Sequence, residues 1–169
     1  MSGHATDSLR TLHDLMVHAC TIEREAVERY TEFADVLETH NNREAAALFR
    51  SLATQEARHA EELMRSMGWQ QPPEPPAQKQ APRGADLQQA HYLMHPWHAV
   101  QVALQAEREA HDFFAALVAS SDADEVRRAA LRLQAEEQEH IDLLQGWLAK
   151  VPPPPANWAD DPDPPRYHD

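Results

Sequence analysis

The positions of the prolines constrain the fold of this chain more than any other feature of its sequence. Five of the 13 prolines fall between Pro72 and Pro82, and seven fall between Pro152 and Pro165. Proline inside a helix removes a hydrogen bond and clashes with the preceding turn, so we expect no long helix in these two segments. The remaining one, Pro96, stands where a helix can begin, a position that tolerates proline. The long stretches between the proline clusters are therefore free to be helical.

These stretches carry apolar residues at three- and four-residue spacing and are rich in helix-forming residues, a pattern typical of helices and not of strands. We predict four helices, from about Asp7 to Glu38, Arg43 to Met67, Pro96 to Ser120 and Ala123 to Lys150. Asn41 and Asn42 are candidates to cap the second helix, and Ser121 and Asp122 to cap the fourth. Gly68 stands where a glycine commonly ends a helix, in this case the second.

The lengths of the connections predict the topology. The first and third connections have only a few residues, so each helix pair should form an antiparallel hairpin. The connection at 68–95 is long and proline-rich, and at roughly 3.1 Å per residue it can carry the chain back along a helix of about 40 Å. We therefore predict an all-α four-helix bundle in residues 1–150. A short helix from Asp86 to Leu93 fits within this crossover, and the proline-rich acidic tail at 151–169 should stay outside the core.

The two halves of the chain repeat one another. Glu23-Arg24-Glu25-Ala26 in the first helix matches Glu107-Arg108-Glu109-Ala110 in the third, and Tyr30 matches Phe114 at the same offset. The second and fourth helices share the order Leu, Glu, His, Leu at equal spacing. The residues concerned are Leu52, Glu56, His59 and Leu63, and then Leu133, Glu137, His140 and Leu144. The chain is thus a duplicated helical hairpin, and pseudo-twofold packing would bring the two halves together.

Six polar residues of this repeat fall on apolar helix faces when each residue advances about 100° around the axis. They are Glu23, Glu56, His59, Glu107, Glu137 and His140. All four of these glutamates lie near the middles of their helices, so the six groups can meet in one layer. A carboxylate in a core position is unfavourable unless its charge is compensated. The glutamates predicted to point into solvent instead are Glu25, Glu61, Glu62 and Glu136.

This set indicates a site for two metal ions. A Glu from each of two helices and a Glu-x-x-His from each of the other two is the ligand set of di-metal carboxylate bundles. Carboxylate and imidazole ligands suit iron, manganese or zinc, and four carboxylates balance two divalent ions. A single Glu-x-x-His is common by chance on an acidic helix, and one inward glutamate can be a misjudged helical phase. Six matching positions favour the metal site over these simpler interpretations.

Charge and composition exclude other classes of function. A net charge of −13 argues against nucleic acid or an anionic membrane surface as a partner. Cys20 is the only cysteine, which rules out an internal disulfide and a four-cysteine rubredoxin or zinc-ribbon site. No apolar run approaches the length of a membrane span. Residues 1–15 lack the apolar segment of a signal peptide, so we expect a cytoplasmic protein.

At these residues the chain resembles the ferritin-like superfamily and, within it, most closely the rubrerythrin family. The residues that carry the likeness are Glu23 with Tyr30-x-x-Phe33-Ala34, Glu56-x-x-His59-Ala60, Glu107 with Phe114, and Glu137-x-x-His140. The resemblance implies a non-haem di-iron centre that reacts with dioxygen or hydrogen peroxide, as a peroxidase or a ferroxidase. It also implies that Glu23 and Glu137 belong to one end of the site. Glu56 and Glu107 would then be the bridging carboxylates.

Two departures from the family pattern bear on function. Full-length rubrerythrins carry a cysteine-rich rubredoxin module that delivers electrons, so a chain without one needs an external electron donor. They also have an extra glutamate one turn after the third-helix ligand, where this chain has Ala110. His111 is either a substitute ligand or a core histidine hydrogen-bonded to a neighbouring carboxylate, and we favour the second interpretation. Tyr30 is expected to place its hydroxyl near a ligand carboxylate.

Three functions are compatible with the sequence. The first is an oxidoreductase or ferroxidase, the second is iron binding and storage in a shell of many subunits, and the third is a non-catalytic metal-binding interaction protein. We expect a homodimer or a larger homo-oligomer. The proline-rich crossover and tail would crowd the subunit contacts of a ferritin shell, which favours the dimer.

Overall fold

Four long α-helices form a bundle in a computed structural model of the chain. The structure describes residues 9–76, 95–151 and 153–154. The helices are α1 (Leu12–Thr39), α2 (Arg43–Met67), α3 (Pro96–Ser120) and α4 (Asp124–Leu148). Helix α1 packs mainly against α2, and α3 against α4, and the described residues contain no strand. The predicted all-α bundle of two hairpins is confirmed. None of the described helices combines the length and the apolar character needed to cross a membrane.

Helices α1 and α4 begin later than predicted. At α1, Oγ1 of Thr11 accepts a hydrogen bond from the N–H of Asp14 at 3.1 Å, and the helix starts at the next residue. At α4, Oγ of Ser121 accepts a hydrogen bond from the N–H of Ala123 at 3.3 Å. Ala123 itself occupies the N-cap position and offers no capping side chain. Ser121 and Asp122 therefore precede the cap of α4 and do not provide it.

Left-handed residues end the first two helices. Gly68 has a φ of 71° at the end of α2, as the sequence predicted. Asn41 has a φ of 63° directly after α1, and the N–H of Asn42 then reaches the carbonyl oxygen of Leu37 at 2.8 Å. Asn42 precedes α2, but its side chain makes no capping hydrogen bond. Of the two asparagines predicted to cap α2, Asn42 occupies the N-cap position without a side-chain bond, and Asn41 closes α1 instead.

Two apolar clusters fill the core, one toward each end of the bundle. The first contains Tyr30, Phe33, Phe49, Val100 and Leu144, among others. The second contains Leu15, Met16, Phe114, Leu117 and Val126, among others. In every helix, the residues that belong to one cluster lie on one side of the predicted ligands. The residues that belong to the other cluster lie on the other side. The polar layer is therefore held between two apolar ones.

The order in which each helix crosses the clusters fixes the chain direction. Helices α2 and α3 both run from the first cluster to the second, whereas α1 and α4 run the opposite way. Helix α2 therefore ends at one end of the bundle, and α3 begins at the other. A long crossover was predicted at this point. The short helix predicted for Asp86–Leu93 and most of the tail at 151–169 lie outside the described residues.

Candidate metal centre

All six predicted ligand residues turn toward the layer between the apolar clusters. The exposed fractions of the four glutamates are 2% for Glu23, 1% for Glu56, 3% for Glu107 and 2% for Glu137. His140 is buried as well, and His59 is mostly buried with 14% of its side chain exposed. Each glutamate lies within about one turn of the middle of its helix. The six side chains therefore stand at one level in the bundle.

Four of these residues meet in the closed interior, and we call them the inner group: Glu56, Glu107, Glu137 and His140. Each offers one ligand atom, and these four atoms lie within 4.8 Å of one another. Nδ1 of His140 lies 2.8 Å from Oε1 of Glu56 and 3.6 Å from Oε2 of Glu107. Three carboxylates and one imidazole thus face a common point away from solvent.

Glu23 and His59 meet a third residue that the sequence analysis did not select, Glu136, and we call these three the outer group. Nδ1 of His59 lies 3.9 Å from Oε2 of Glu23 and 3.8 Å from Oε2 of Glu136. Their ligand atoms also lie within 4.8 Å of one another. The side chain of Glu136 is only 35% exposed. The prediction that it is a solvated helix charge is wrong, because its long side chain reaches back from the edge of the buried face toward His59.

The two groups adjoin. The imidazole rings of His59 and His140 are stacked, with centroids 5.5 Å apart and planes inclined by 20°. Glu56 of the inner group neighbours Glu23 of the outer group closely enough to shift its pKa. The expectation that Glu23 and Glu137 share one end of the site does not hold, since they fall in different groups. Glu23 instead lies with His59 of α2, and Glu137 lies with Glu107 of α3. Each glutamate is thus grouped with a ligand from the other helix of its own hairpin.

Tyr30 lies beside a carboxylate of the inner group. Its hydroxyl donates a hydrogen bond to Oε1 of Glu107, and its side chain is fully buried. Burial and the charge of Glu107 raise the pKa of Tyr30 well above its ordinary value. The phenol therefore keeps its proton. This is the position that the sequence analysis expected for the residue.

His111 lies apart from both groups. Its side chain is 22% exposed, and Nδ1 lies 3.2 Å from Oδ1 of Asp112, which is itself 82% exposed. Nε2 lies 3.3 Å from the side-chain amide nitrogen of Gln134. The neighbouring carboxylate that we predicted is present, but it stands at the bundle surface and not in the core. His111 does not take the place of the glutamate that is missing at Ala110.

Several buried polar atoms in this layer have no hydrogen-bond partner among the described residues. They are Oε2 of Glu23, Oε1 of Glu56, Nδ1 of His59, and both Nδ1 and Nε2 of His140. The 2.8 Å approach of His140 to Glu56 lacks the alignment of a hydrogen bond. An unpaired buried polar group costs about 1–3 kcal/mol. Oxygen and nitrogen lone pairs that converge without partners suit a bound cation, so the donor set fits metal ions.

The pKa values of the buried residues in this layer also fit a cation site. Burial, and next the neighbouring Glu56, raise the pKa of Glu23 well above its ordinary value. Burial and the charge of Glu107 do the same to the pKa of Glu137. Burial alone would lower the pKa of His140, but Glu107 and Glu56 raise it to about 10. Without a metal the layer holds protons that a divalent cation would displace.

A cavity of about 170 Å³ connects the outer group with the solvent. Glu23, His59 and Glu136 all line it, whereas none of the inner-group residues is among its described lining residues. Arg132 and Glu62 supply charged side chains to its wall. The outer group is therefore accessible, and the inner group is closed.

Comparison with known proteins identifies the family. A model of the rubrerythrin family matches residues 14–148, a region that includes every residue of both groups. The chain is also similar to the crystal structure of an uncharacterized conserved protein from Magnetospirillum magnetotacticum MS-1, with a TM-score of 0.73 and 35% sequence identity. That alignment covers 86% of this chain and 98% of the other. Comparison with curated proteins gives no match. By its sequence, its fold and its layer of buried carboxylates and histidines, this chain belongs to the rubrerythrin family.

Proposed function

We propose that this chain is a non-haem di-iron oxidoreductase that reacts with dioxygen or hydrogen peroxide. The observation that carries the proposal is the set of buried, unpartnered oxygen and nitrogen atoms held between two apolar clusters. Membership of the rubrerythrin family supports iron as the metal. Manganese and zinc suit the same ligands, but zinc has no redox chemistry.

The proposed ligands divide between two positions. Glu23 and His59 would hold one ion, and Glu137 and His140 would hold the other. Glu56 and Glu107 would lie between the two ions and bridge them. Glu56 neighbours both Glu23 and His140, which supports its assignment as a bridge. When bound, iron supplies the electrons that reduce the oxidant by cycling between its ferrous and ferric states.

The chain itself contributes enclosure and protons. The apolar clusters on either side of the layer exclude water from the inner group. The cavity at the outer group is large enough for a molecule the size of dioxygen or hydrogen peroxide. Tyr30 holds a proton on its hydroxyl, beside Oε1 of Glu107. We also infer that electrons come from outside residues 1–169, because Cys20 is their one cysteine and cannot build a four-cysteine iron site.

Anaerobic titration with ferrous iron tests the premise, and we expect about two ions per chain. Stopped-flow mixing of the loaded protein with dioxygen and with hydrogen peroxide then tests the reaction. Oxidation faster than that of free ferrous iron is expected with at least one oxidant. The control is Glu61→Ala, which changes an exposed residue on the same helix as Glu56 and His59 and should leave binding and oxidation unchanged.

Three results would overturn the proposal in different ways. A chain that binds no iron has no di-iron site at all. A chain that binds two ions but does not accelerate their oxidation is a metal-binding protein without this activity. A large hollow assembly in light scattering, with many more than two ions per chain after oxidation, would indicate iron storage.

A further inference from the structure

We propose that Glu136 is a seventh ligand, which binds only the metal ion at the outer position. This inference rests on the proposed function, since it requires a cation in the layer. Oε2 of Glu136 lies 3.8 Å from Nδ1 of His59, and its ligand atom lies within 4.8 Å of that of Glu23. Oε2 of Glu23 is buried and has no hydrogen-bond partner. A carboxylate, a second carboxylate and an imidazole thus converge at the inner end of the cavity.

A hydrogen bond between Glu136 and His59 does not account for this arrangement. Their separation of 3.8 Å is beyond hydrogen-bond distance. Nδ1 of His59 is buried and has no hydrogen-bond partner, although it stands close to both carboxylates. The two carboxylates and the imidazole therefore face one another without forming hydrogen bonds to one another. Ligands that surround a cation have this relationship.

The internal repeat provides a comparison within the same molecule. Glu136 directly precedes Glu137 in α4, and the equivalent residue in α2 is Gln55, which directly precedes Glu56. Nε2 of Gln55 donates a hydrogen bond to Oγ of Ser51 in its own helix at 3.3 Å. The first half of the repeat thus has an uncharged residue where the second half has a carboxylate. The additional carboxylate makes the two metal positions chemically unequal.

Glu136 also stands where it can control access. It lines the cavity together with Glu23 and His59, and it is the most exposed member of the outer group at 35%. An ion that enters through the cavity meets this carboxylate at the solvent side of the outer position. We infer that Glu136 raises the affinity of the outer position and slows the loss of its ion to solvent. The inner ion, closed off from the cavity, should not depend on it.

The test is an anaerobic titration with Co²⁺, whose visible absorption reports on its coordination without turnover. The wild-type chain should bind two ions. In Glu136→Gln, which makes α4 resemble α2 at this position, one of the two ions should bind about 10- to 100-fold more weakly. The other ion should bind as in the wild type. The matched control is Glu139→Gln, which removes an exposed carboxylate from the same helix and should leave both affinities unchanged.

Two further variants separate ligation from structure. Glu136→Asp keeps the charge but shortens the reach, so it should also weaken the outer ion. Glu136→His supplies a different ligand atom and should restore part of the lost affinity, which a purely structural role would not allow. Unchanged binding of both ions in Glu136→Gln and Glu136→Asp would overturn the role of Glu136 while leaving the proposed function intact. Absence of any bound ion in the wild type would instead overturn the proposed function.

Discussion

The hydroxyl of Tyr30 on α1 donates a hydrogen bond to Oε1 of Glu107 on α3 and so joins the two halves of the repeat. The equivalent of Tyr30 in the other half is Phe114, which has no hydroxyl to offer. The two matched glutamates also differ in their pKa values, to which Glu137 and His140 contribute more than Tyr30 does. Burial alone would raise the pKa of Glu107, but its contacts within the layer lower it, whereas the pKa of Glu23 is raised well above its ordinary value. The duplication therefore yields two unequal carboxylates.

Tyr30→Phe should lower the free energy of unfolding of the metal-free protein by about 1–3 kcal/mol, because a buried carboxylate loses its donor. Urea denaturation followed by circular dichroism measures the change. The control is the same substitution in a Glu107→Gln background, where the partner is no longer a carboxylate and the loss should be smaller. An equal loss in both backgrounds would show that Tyr30 contributes through packing alone.

The positions of the buried glutamates followed directly from the sequence. A helix wheel needs only the 100° step, and Glu23 and Glu107 fall among small and apolar residues at the middles of long helices. The repeat then removes the ambiguity of helical phase, because a shift would have to occur equally in both halves. The details of side-chain packing could not easily change the burial of these two glutamates.

Glu136 was not predictable by the same reasoning. Neighbouring residues of a helix point about 100° apart, so the wheel that places Glu137 in the core places Glu136 at the edge. The wheel gives the direction in which a side chain leaves the backbone, not where a flexible glutamate ends. That depends on the cavity between the helices, which is a tertiary feature. The available signal was the replacement of Gln55 in one half by Glu136 in the other.

The division of ligands between the two ends of the layer also required the structure. The family resemblance suggested that Glu23 and Glu137 share one end, but the contacts place Glu23 with His59 and Glu137 with His140. Which residues meet depends on the tilt and the offset between the two hairpins. Neither quantity is encoded in the spacing along one helix.

Replacing single ligands should remove ions in a position-dependent way. His140→Ala should lose the inner ion, because it removes the only imidazole of the inner group. Glu56→Ala should reduce occupancy below about one ion per chain, since Glu56 neighbours both groups and is a proposed bridge. Metal analysis after dialysis measures both effects. Glu139→Ala, an exposed residue of α4, is the control, and retention of two ions by both ligand variants would contradict the assignment of the site.

Two glycines provide a test of the fold that is independent of the metal. Gly68 has a φ of 71° at the end of α2, a conformation in which a side chain costs about 1–2 kcal/mol. Gly68→Ala should therefore lower the free energy of unfolding by about 1 kcal/mol. Gly146 lies within α4, and nothing beyond its chain neighbours and the adjacent backbone of its own helix lies within 4 Å of the place that a Cβ would take, so Gly146→Ala should raise the free energy of unfolding by about 0.5 kcal/mol. Changes of the same sign in urea denaturation would contradict the helix end assigned at Gly68.

The metal-free protein should lose stability as the pH rises above the ordinary pKa of glutamate, and again as it rises from the ordinary pKa of histidine, about 6.5, towards about 10. The pKa values of Glu23 and Glu137 are raised well above their ordinary values in the folded state, and that of His140 is raised to about 10. A group with a raised pKa holds its proton more tightly in the folded than in the unfolded chain. Its contribution to stability is complete below the unfolded pKa and is lost as the pH rises through the folded pKa. Glu107, whose pKa is lowered, changes its contribution only at more acidic pH.

Metal should reverse this trend, because the ions bind the deprotonated ligands and compete with protons for them. Thermal melting followed by circular dichroism, with a chelator and then with saturating Mn²⁺, measures both cases across the same pH range. Glu23→Gln removes one of the titrating groups, so the metal-free variant should show a shallower decline than the wild type. A melting temperature of the metal-free wild type that rises with pH would mean that the buried carboxylates are already ionised in the fold. In that case the fold would tolerate the buried negative charges without bound metal ions.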